Sequence, residues 1–568
     1  MDLSPAPEPA SAPPAIVDGP LLKLDEVRPQ ILADVAQRTS QDFQDANIES
    51  LLGEALYSER QRMRRVRTNI FTKARRQRDQ SLWGSVHHGL LSPAAITDRK
   101  ALFDRVTHHY ADEIGGHFDR KIYQFATNAV PWGFNWVLNA ASVRRFRPWG
   151  MTQDVRSRLI IRGEVEHLRS LSNRGTILLV PTHQSNMDSV LIGYIIYLMS
   201  LPPFAYGAGL NLFSNPALSF FMGRLGAYTV DRQKNNAIYK HTLKNYSTRI
   251  LKEGVHSIFF PGGGRSRSGA IESKPKLGLL GTGLDAQLEN YQAGKTNPII
   301  FVVPMVVSYH FVLEASSLIE DYLAEAGKHR YIITDDESWQ PMRILSFFWK
   351  FFSSKSTISV NVGKPLDVFG NYVDLEGRSI GPNGTTIDPK LWLTTRGELR
   401  AEPARDREYT QELGTKLADR FHRENIVLTS HLVAFTFFEA LRKQYPELDL
   451  YRLIRLSMAQ RSMPFEKFLQ EADCQFQRML EAEARGEFYL SDEFKRGDTR
   501  QWVEAGIRDL GIFHDAAVIK VVDGVVHTED MNLLYYYRNR LSGYGLSLLA
   551  AGEGRRIRGQ NDRKGFLA

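Results

Sequence analysis

Short apolar runs alternate with helix-length segments over residues 150–370, and this alternation constrains the fold more than any other feature. GTILLVPTH (175–183), NPIIFVVPMVVSYH (297–310) and STISVNVGKPL (356–366) have the length and apolar character of buried strands. NNAIYKHTLKNYSTRILKEG (235–254) is amphipathic and ends at a glycine, as helices often do. Strands that alternate with helices are typical of mainly parallel sheets. We therefore predict an α/β fold with a mixed, largely parallel sheet flanked by helices.

The composition of the other segments predicts helices on both sides of this domain. Residues 1–20 contain six prolines and predict a disordered tail, and residues 21–145 predict a basic helical region. The α/β domain is assigned to residues 146–370. A loop or linker rich in Gly, Pro, Thr and Asn is expected at 371–404, and a mainly helical region at 405–568.

The charge balance favours an anionic partner. The 72 lysines and arginines exceed the 64 acidic residues, so the formal net charge is +8. Such an excess fits a membrane surface, a nucleic acid or a phosphorylated substrate. Eight arginines lie between Arg60 and Arg78, and aromatic residues crowd between basic ones at 343–355. Both segments are candidate contacts with an anionic membrane surface; the alternatives are a solvated helix face and a buried element.

Several other classes of protein are not expected. Cys474 is the only cysteine, which excludes a disulfide scaffold and a cysteine-based zinc site. The sequence has no paired Cys/His spacing and no aromatic RNP-like strand, so we expect no nucleic-acid partner. Gly281-Thr-Gly283 follows a helical pattern rather than a strand, so it is a weak dinucleotide fingerprint. Neither a P-loop nor a Gly-x-Ser-x-Gly nucleophile elbow occurs.

No charged residue occurs between Asp188 and Arg224. An uncharged run of this length can indicate a membrane-spanning helix. Pro202 and Pro203 interrupt it after about a dozen residues, and glycines and asparagines follow. We therefore predict a short helix and a loop packed against the protein. The first 20 residues lack the basic region and apolar core of a secretory signal.

A histidine and an aspartate follow the first apolar strand in PTHQSNMD. His183 lies at the end of that strand and Asp188 is five residues further on. A carboxylate at this distance can hold the imidazole tautomer and stabilise the imidazolium. The alternative is a polar strand-to-helix turn in which Asp188 or a neighbour caps the helix.

A glycine-rich basic loop, GGGRSRSG (262–269), follows the strand SIFF. Glycines let the backbone approach an anion closely, and arginine side chains match phosphate oxygens with planar pairs of donors. The sequence therefore predicts a phosphate site, against the alternative of a flexible basic loop. Its candidate residues are Gly263, Gly264, Arg265, Ser266, Arg267 and the nearby Lys276.

Two further elements complete an ordered set. Arg232 ends the strand GAYTVDR, and Pro304 interrupts an apolar strand. Together with His183–Asp188 and Phe260–Gly269, they resemble the four motifs of the glycerophospholipid acyltransferase family in order and spacing. The flanking sequence is similar to that of the large membrane-associated glycerol-3-phosphate acyltransferases of bacteria and mitochondria. That similarity is carried by AGLNLF (208–213), PKLG (275–278), VPMVVSYHFVLEA (303–315) and LLYYYRNRL (533–541).

The resemblance is close over about 145–370, looser over 405–545, and absent from residues 1–100. Two positions depart from the family pattern. The third motif normally has a glutamate before its glycine pair, and Gly262 stands there in this chain. The second motif often closes with two basic residues, and here Asp231 precedes Arg232. The missing glutamate puts the identity of the acceptor in doubt.

The resemblance implies a complete enzymatic assignment. The reaction would be acyl transfer from acyl-CoA or acyl-carrier protein to the sn-1 hydroxyl of glycerol 3-phosphate, with lysophosphatidate as product. His183 would be the general base, and Asp188 would orient it. Arg232, Arg265, Ser266, Arg267 and Lys276 would bind phosphate, the backbone of Gly263 and Gly264 would assist, and Pro304 would belong to the substrate site. No metal and no organic cofactor is expected.

The resemblance also implies a peripheral enzyme on the cytoplasmic side of a bacterial inner membrane, because the product must enter a bilayer. Two alternatives stay open at this point. The first is the same chemistry on another acceptor, dihydroxyacetone phosphate or lysophosphatidate. The second is a non-catalytic basic protein that binds membrane or RNA.

Overall fold

Four of the described helices lie at the N-terminal end. The computed structural model describes residues 14–65, 73–92, 96–127, 158–209, 220, 222–326, 356–511, 514 and 516–547. The four helices are α1 (Leu24–Asp42), α2 (Ile48–Arg65), α3 (Lys73–Leu91) and α4 (Ile96–Ile114). Their buried side chains, Trp83 and Tyr110 among them, share one apolar core with Tyr228 and Tyr239 of the α/β domain. The N-terminal helices therefore pack directly on that domain.

A seven-stranded sheet forms the centre of the molecule. Its strands are β1 (Leu159–Gly163), β2 (Thr176–Pro181), β3 (Ala205–Gly209), β4 (Ala227–Val230), β5 (Ser257–Ile258), β6 (Ile300–Tyr309) and β7 (Ile358–Val362). The strand order is β1-β7-β6-β2-β5-β3-β4, and every neighbouring pair is parallel except β6 and β7. The mixed, largely parallel α/β sheet expected from the sequence is confirmed.

Within the described residues, the connections between these strands contain α5 (Val165–Ser172), α6 (Asp188–Leu198), α7 (Ala237–Lys252), α8 (Thr282–Gln292) and α9 (Ala315–Ala326). Both faces of the sheet are apolar, because Leu179 packs into one core and Leu178 and Val180 into the other. Every residue of β2 and β6 is buried for the same reason. Central strands covered on both faces read as continuous apolar runs, which is why the sequence located them.

Residues 371–404 contain more regular structure than the predicted loop. Five two-residue strands occur here: β8 (Tyr372–Val373), β9 (Ser379–Ile380), β10 (Thr386–Ile387), β11 (Thr394–Thr395) and β12 (Glu398–Leu399). A four-residue helix, α10 (Pro389–Trp392), lies between β10 and β11. Elements this short have no readable periodicity, so turn residues dominate the sequence signal.

The C-terminal region is mainly helical and covers both faces of the sheet. It contains α11 (Pro403–Arg423), α12 (Thr429–Gln444), α13 (Leu450–Leu453), α14 (Phe465–Ala484), α15 (Thr499–Gly511) and α16 (Met531–Arg538). Its short strands are β13 (Ile426–Val427), β14 (Ser462–Pro464), β15 (Tyr489–Leu490), β16 (Lys520–Val522) and β17 (Val525–His527). Side chains of α12 and α16 join one core, and those of α11 join the other.

Three segments singled out in the sequence lie partly or wholly outside the described residues. Residues 14–20 of the predicted tail contact the domain, since Tyr197 donates a hydrogen bond to the Pro14 carbonyl (2.7 Å). The aromatic segment at 343–355 lies outside the described residues. The uncharged run contains α6, only 11 residues long. Among the helices described, none has both the length and the apolar character needed to cross a bilayer.

Candidate active site

The predicted motifs meet at one edge of the sheet. β2, β4 and β5 run parallel, so the segments that follow them emerge at the same edge. His183 follows β2, Arg232 follows β4, and the glycine-rich loop follows β5. Ligands of open α/β sheets bind at this carboxyl edge. The fold therefore brings together residues that are far apart in the sequence.

His183 and Asp188 form a hydrogen-bonded pair. The Nδ1 atom of His183 lies 2.8 Å from Oδ2 of Asp188, which is fully buried at the start of α6. The same carboxylate oxygen accepts from the backbone N–H groups of Gln184 (2.7 Å) and Ser185 (3.0 Å). Three donors on one oxygen hold the carboxylate in one position. The Nδ1 atom of His183 is thereby tied to Asp188, and Nε2 is left as the ring nitrogen for chemistry.

Tyr309 supplies a fourth donor that the sequence analysis did not identify. Its hydroxyl donates to Oδ1 of Asp188 from the carboxyl end of β6. Burial, followed by the charge of Asp188, raises the pKa of Tyr309 well above its ordinary value, so the hydroxyl keeps its proton. The only sequence signal was its position at a strand end on the edge that carries the other motifs.

Arg540, from the C-terminal region, is buried behind the pair. Its Nη2 donates to the Val307 carbonyl (2.9 Å) and to Ser308 Oγ (3.1 Å), and its Nε donates to Asn425 Oδ1 (2.9 Å). Complete burial lowers the pKa of Arg540 to about 10, so it is still cationic at neutral pH. A buried cation close to Asp188 offsets part of the cost of burying that carboxylate.

A cavity of about 290 Å³ opens in front of the histidine. Its walls include His183, Arg232, Gly263 and Arg265. The Phe260 ring lies 4.3 Å from the imidazole, centroid to centroid, and forms an apolar wall beside it. The cavity therefore presents an imidazole to the same space as two guanidinium groups, which suits a ligand that has both a hydroxyl and a phosphate.

The two arginines of the cavity are close to each other and held differently. Partial burial, and then the charge of Arg265, lower the pKa of Arg232. Arg265 Nη1 lies 3.4 Å from Oε1 of Glu314, whose side chain is fully buried. Glu314 also accepts from the Asn186 backbone N–H (2.9 Å) and the Ser185 hydroxyl (3.0 Å). Glu314 thus links Arg265 to the turn that carries His183. No pattern in the sequence predicted this role for Glu314.

The glycine-rich loop is tied to the histidine by its backbone. Ser266 N–H donates to the His183 carbonyl (2.8 Å). Gly263 has φ +63°, which strongly favours glycine, and a side chain there would lie within 2.7 Å of the Lys276 side chain. A Cβ at Gly264 would lie 3.4 Å from Arg232 Nη1. The loop therefore brings its bare backbone close to both basic side chains.

Some predicted phosphate residues have other contacts in the structure. The Ser266 hydroxyl donates to the Ala270 carbonyl (2.7 Å). Arg267 pairs with Glu325 (2.6 Å), and Lys276 is exposed on the outer side of Gly263. None of these three side chains is among the described residues that line the cavity.

Pro304 lies in the middle of β6 rather than at the cavity. It is paired with Val180 in the register of β2 and β6, and it is buried. Proline has no N–H to donate to the ladder, and its carbonyl accepts instead from Gly363 N–H (2.9 Å). Pro304 is not among the described residues that line the cavity.

Glu272 occupies the space beside Gly262, the position that departs from the resembled family pattern. A Cβ at Gly262 would lie 2.7 Å from Glu272 Oε2. The other oxygen of Glu272 accepts from Lys274 N–H (3.0 Å). Gly262 itself is not among the positive-φ glycines, whereas Gly263 is. A carboxylate is therefore present at this point of the loop although residue 262 has none.

A second, apolar cavity of about 100 Å³ lies next to the first. Both cavities include Ser189 and Ile258 in their walls. Its other walls are mainly aromatic and aliphatic, with Tyr123, Val190, Tyr194, Ile196, Phe204, Tyr206, Met222 and Leu225. An apolar space beside a polar one suits a ligand with a hydrocarbon chain next to its reacting group. In the parts of the chain that are described, no group of three or more potential ligands could hold a metal ion.

A Tyr309→Phe variant tests the fourth donor. Removing a hydrogen bond to a charged group costs about 1.5–3 kcal/mol, so we expect turnover to fall about tenfold or more. The reason is that Asp188 loses a donor and His183 loses part of its orientation. Tyr544→Phe is the matched control, because it removes a buried hydroxyl that donates to the His422 carbonyl (2.8 Å). Equal turnover in both variants would contradict a role for Tyr309 in holding the pair.

The chain is similar in sequence to known acyltransferases. Residues 162–308 match the family described as Acyltransferase. A glycerol-3-phosphate acyltransferase of Ectopseudomonas mendocina (strain ymp) is 24% identical over 358 residues, which are 63% of this chain and 38% of that protein. Its counterpart from Shewanella sp. (strain W3-18-1) is 25% identical over 370 residues, 64% of this chain and 40% of that protein. The chain thus matches about two fifths of the length of these relatives.

Among solved structures, the 1-acyl-sn-glycerophosphate acyltransferase from Thermotoga maritima aligns with 52% of this chain and 81% of its own, at 16% identity and a TM-score of 0.22. That score is too low to add to the assignment. The family match covers β1 to β6 and includes His183, Arg232 and the glycine-rich loop. This chain therefore contains an acyltransferase-family domain, and its sequence similarity extends to proteins named glycerol-3-phosphate acyltransferase.

Proposed function

We propose that the protein transfers a fatty acyl group from a thioester, acyl-CoA or acyl-carrier protein, to the sn-1 hydroxyl of glycerol 3-phosphate. The observation that carries the proposal is the cavity in which His183 faces Arg232 and Arg265. A base beside two guanidinium groups fits an acceptor with a hydroxyl and a phosphate. The family match and the names of the relatives support the same chemistry.

In the proposed mechanism, Nε2 of His183 removes the proton of the acceptor hydroxyl as its oxygen attacks the thioester carbonyl. The imidazolium is stabilised by Asp188, which bonds to Nδ1. A C–O bond forms and the C–S bond breaks, and the departing thiolate takes the proton back from the imidazolium. Arg232 and Arg265 hold the phosphate, so the hydroxyl is fixed relative to the histidine.

The acyl chain is assigned to the apolar cavity that shares Ser189 and Ile258 with the polar one. This arrangement places the hydrocarbon on one side of the reacting carbonyl and the charged acceptor on the other. Phe125 and Phe220 are large exposed apolar side chains, 58% and 48% accessible. A peripheral attachment to a membrane belongs to this proposal, because the amphiphilic product has to leave into a bilayer.

A thiol-release assay with palmitoyl-CoA tests this function. Glycerol 3-phosphate is the expected acceptor, with dihydroxyacetone phosphate and lysophosphatidate as competitors at equal concentration. We expect the highest kcat/KM with glycerol 3-phosphate. A preference for another acceptor would reassign the substrate. The absence of thiol release with all three acceptors would contradict an acyltransferase. It would favour instead a non-catalytic basic protein that binds membrane or RNA.

Glu272→Gln and Gly262→Glu test whether Glu272 replaces the missing glutamate. Because Glu272 Oε2 lies where a side chain at 262 would begin, we expect Glu272→Gln to lower kcat/KM for glycerol 3-phosphate. Gly262→Glu alone should lower it as well, because two carboxylates would compete for one space. The double variant Gly262→Glu/Glu272→Gln should recover activity. Full activity in Glu272→Gln alone would exclude the replacement.

The membrane attachment is tested with anionic lipid vesicles. Arg60 and Arg64 are exposed, whereas Arg62 is buried in ion pairs and cannot bind lipid. We expect binding to weaken in high salt and in Arg60→Gln/Arg64→Gln, because surface attraction is screened within about 10 Å at 0.1 M salt. Arg452→Gln/Lys495→Gln removes the same charge from the C-terminal region and should bind like wild type. Binding that resists both high salt and alkaline carbonate would contradict a peripheral attachment.

A further inference from the structure

The N-terminal helices hold the strand that leads to Arg232 at both of its ends. At the start of β4, Phe118 forms a bridge with Leu225, and Gly226 N–H donates to the His117 carbonyl (3.0 Å). At the other end, Asp231 and Lys234 turn buried side chains towards the same helices. We call Asp231 and Lys234 the two anchors of this segment, and Arg232 lies between them in the sequence.

Lys234 is the deeper anchor. Its side chain is fully buried, and Nζ donates to Glu113 of α4 (2.5 Å) and lies 3.2 Å from Glu59 of α2. The ammonium also lies 4.7 Å from the centroid of the Tyr110 ring. Tyr110 donates to Glu59 (3.0 Å). A residue four positions from the end of β4 is thus fixed by two N-terminal helices.

Asp231 is the second anchor. Its carboxylate is almost fully buried and lies 3.7 Å from Arg62 Nη1. Arg62 is in turn bonded to Glu59 (2.7 Å) and Asp79 (2.8 Å). Burial raises the pKa of Asp231, which shows that its environment offers little water. α2, α3 and α4 therefore contribute to one charged cluster that reaches the loop after β4.

A buried cluster of this kind is a poor source of stability but a strong constraint on geometry. Desolvation of each charge costs several kcal/mol, and the attraction repays it only when every partner is in place. Such clusters therefore tolerate one arrangement of the chain and few others. Arg232 needs such a constraint, because burial and then repulsion from the nearby Arg265 lower its pKa.

We propose that the N-terminal helices act as a brace for the phosphate-binding arginine, with Glu59 and Lys234 as positioning residues for Arg232. This inference rests on the proposed function, since it assumes that Arg232 binds the phosphate of the acceptor. It assigns a role to a region for which the sequence resemblance implies none. The role is exerted through the loop at 231–236, and no N-terminal side chain touches substrate in it.

The test compares two variants on α2. Glu59→Gln keeps the shape of the side chain and removes the charge that joins Arg62 to Lys234. Leu52→Ala removes a fully buried apolar side chain from the same helix, without touching the charged cluster. We expect Glu59→Gln to raise the KM for glycerol 3-phosphate by roughly tenfold, in the range of indirect couplings, with kcat and the KM for palmitoyl-CoA unchanged. Leu52→Ala should have a lower melting temperature, with kcat and the KM values for both substrates unchanged.

If Glu59→Gln does not fold, Tyr110→Phe removes only the hydroxyl that donates to Glu59 and accepts from Asn236 of the same loop, and it should raise the same KM by a smaller factor. An unchanged KM for glycerol 3-phosphate in the folded variants would overturn the brace, as would equal changes for both substrates. Calorimetric titration with glycerol 3-phosphate separates this inference from the proposed function. Weaker binding in Glu59→Gln and Arg232→Ala but not in Leu52→Ala, in a protein that releases no thiol, would keep the brace and overturn the function. If the wild type binds no glycerol 3-phosphate, both are overturned.

Discussion

His183→Ala is expected to lower acyl transfer about 10²–10⁴-fold, the usual contribution of a general base, without lowering the melting temperature much. The imidazole is part of the cavity wall and its removal leaves the acceptor proton without a base. The measurement is kcat in the thiol-release assay, with circular dichroism and a melting curve as folding controls. His241→Ala, on an exposed face of α7, is the matched control and should keep wild-type turnover. Near wild-type turnover in His183→Ala would contradict the mechanism.

Asp188→Asn belongs to the same test. An asparagine keeps the shape of the side chain, but its amide cannot replace a charge that accepts from His183, two backbone N–H groups and Tyr309. The imidazolium would lose its stabilising partner, so turnover should fall heavily. A fall in His183→Ala that is absent in Asp188→Asn would show that the carboxylate is dispensable for orientation.

Arg265→Ala should raise the KM for glycerol 3-phosphate by roughly 10–150-fold and change the KM for the acyl donor much less. This range corresponds to the loss of a charge-assisted hydrogen bond of about 1.5–3 kcal/mol. Arg265 lines the cavity and is held by Glu314, so it is preorganised for an anion. Steady-state kinetics with each substrate varied in turn would measure the split.

Arg267→Ala is the matched control for this prediction. It removes the same kind of side chain from the same loop, but Arg267 pairs with Glu325. Its effect on the KM for glycerol 3-phosphate should be much smaller than that of Arg265→Ala, and Lys276→Ala should be intermediate because the Lys276 side chain fills the space where a Cβ of Gly263 would lie. Equal effects of the three substitutions, or equal effects on both substrates, would indicate a folding defect or an unspecific positive surface.

The same loop illustrates how far local sequence could go. The glycines and arginines of 262–269 predicted an anion site, and the chain does place Gly263 and Arg265 in the cavity wall. The local sequence could not predict that Arg265 lines the cavity and Arg267 does not. The directions of neighbouring side chains in a loop depend on backbone angles that only the folded loop has. Glu272 is the acid near Gly262 in the sequence, and the turn of ten residues that brings its carboxylate beside Gly262 is seen only in the folded loop.

Residues that act through distant contacts were invisible for a related reason. Tyr309 is 121 residues from Asp188, and Arg540 is 232 residues from Ser308. Each resembles an ordinary strand or helix residue until its partner is known. Glu59, Arg62 and Lys234 look like charges of solvated helix faces and a loop, and they are buried together instead.

The sequence by itself determined the α/β class, the central strands and the pairing of His183 with Asp188. These depend on short-range signals: strands covered on both faces are apolar throughout, and a strand-to-helix turn of five residues brings a carboxylate back to the imidazole. Only the tertiary structure decided which arginines share the cavity, which carboxylate holds Arg265, and that the N-terminal helices reach Arg232. Those contacts join segments that are dozens to hundreds of residues apart, and their partners are chosen by packing of whole layers rather than by any local pattern.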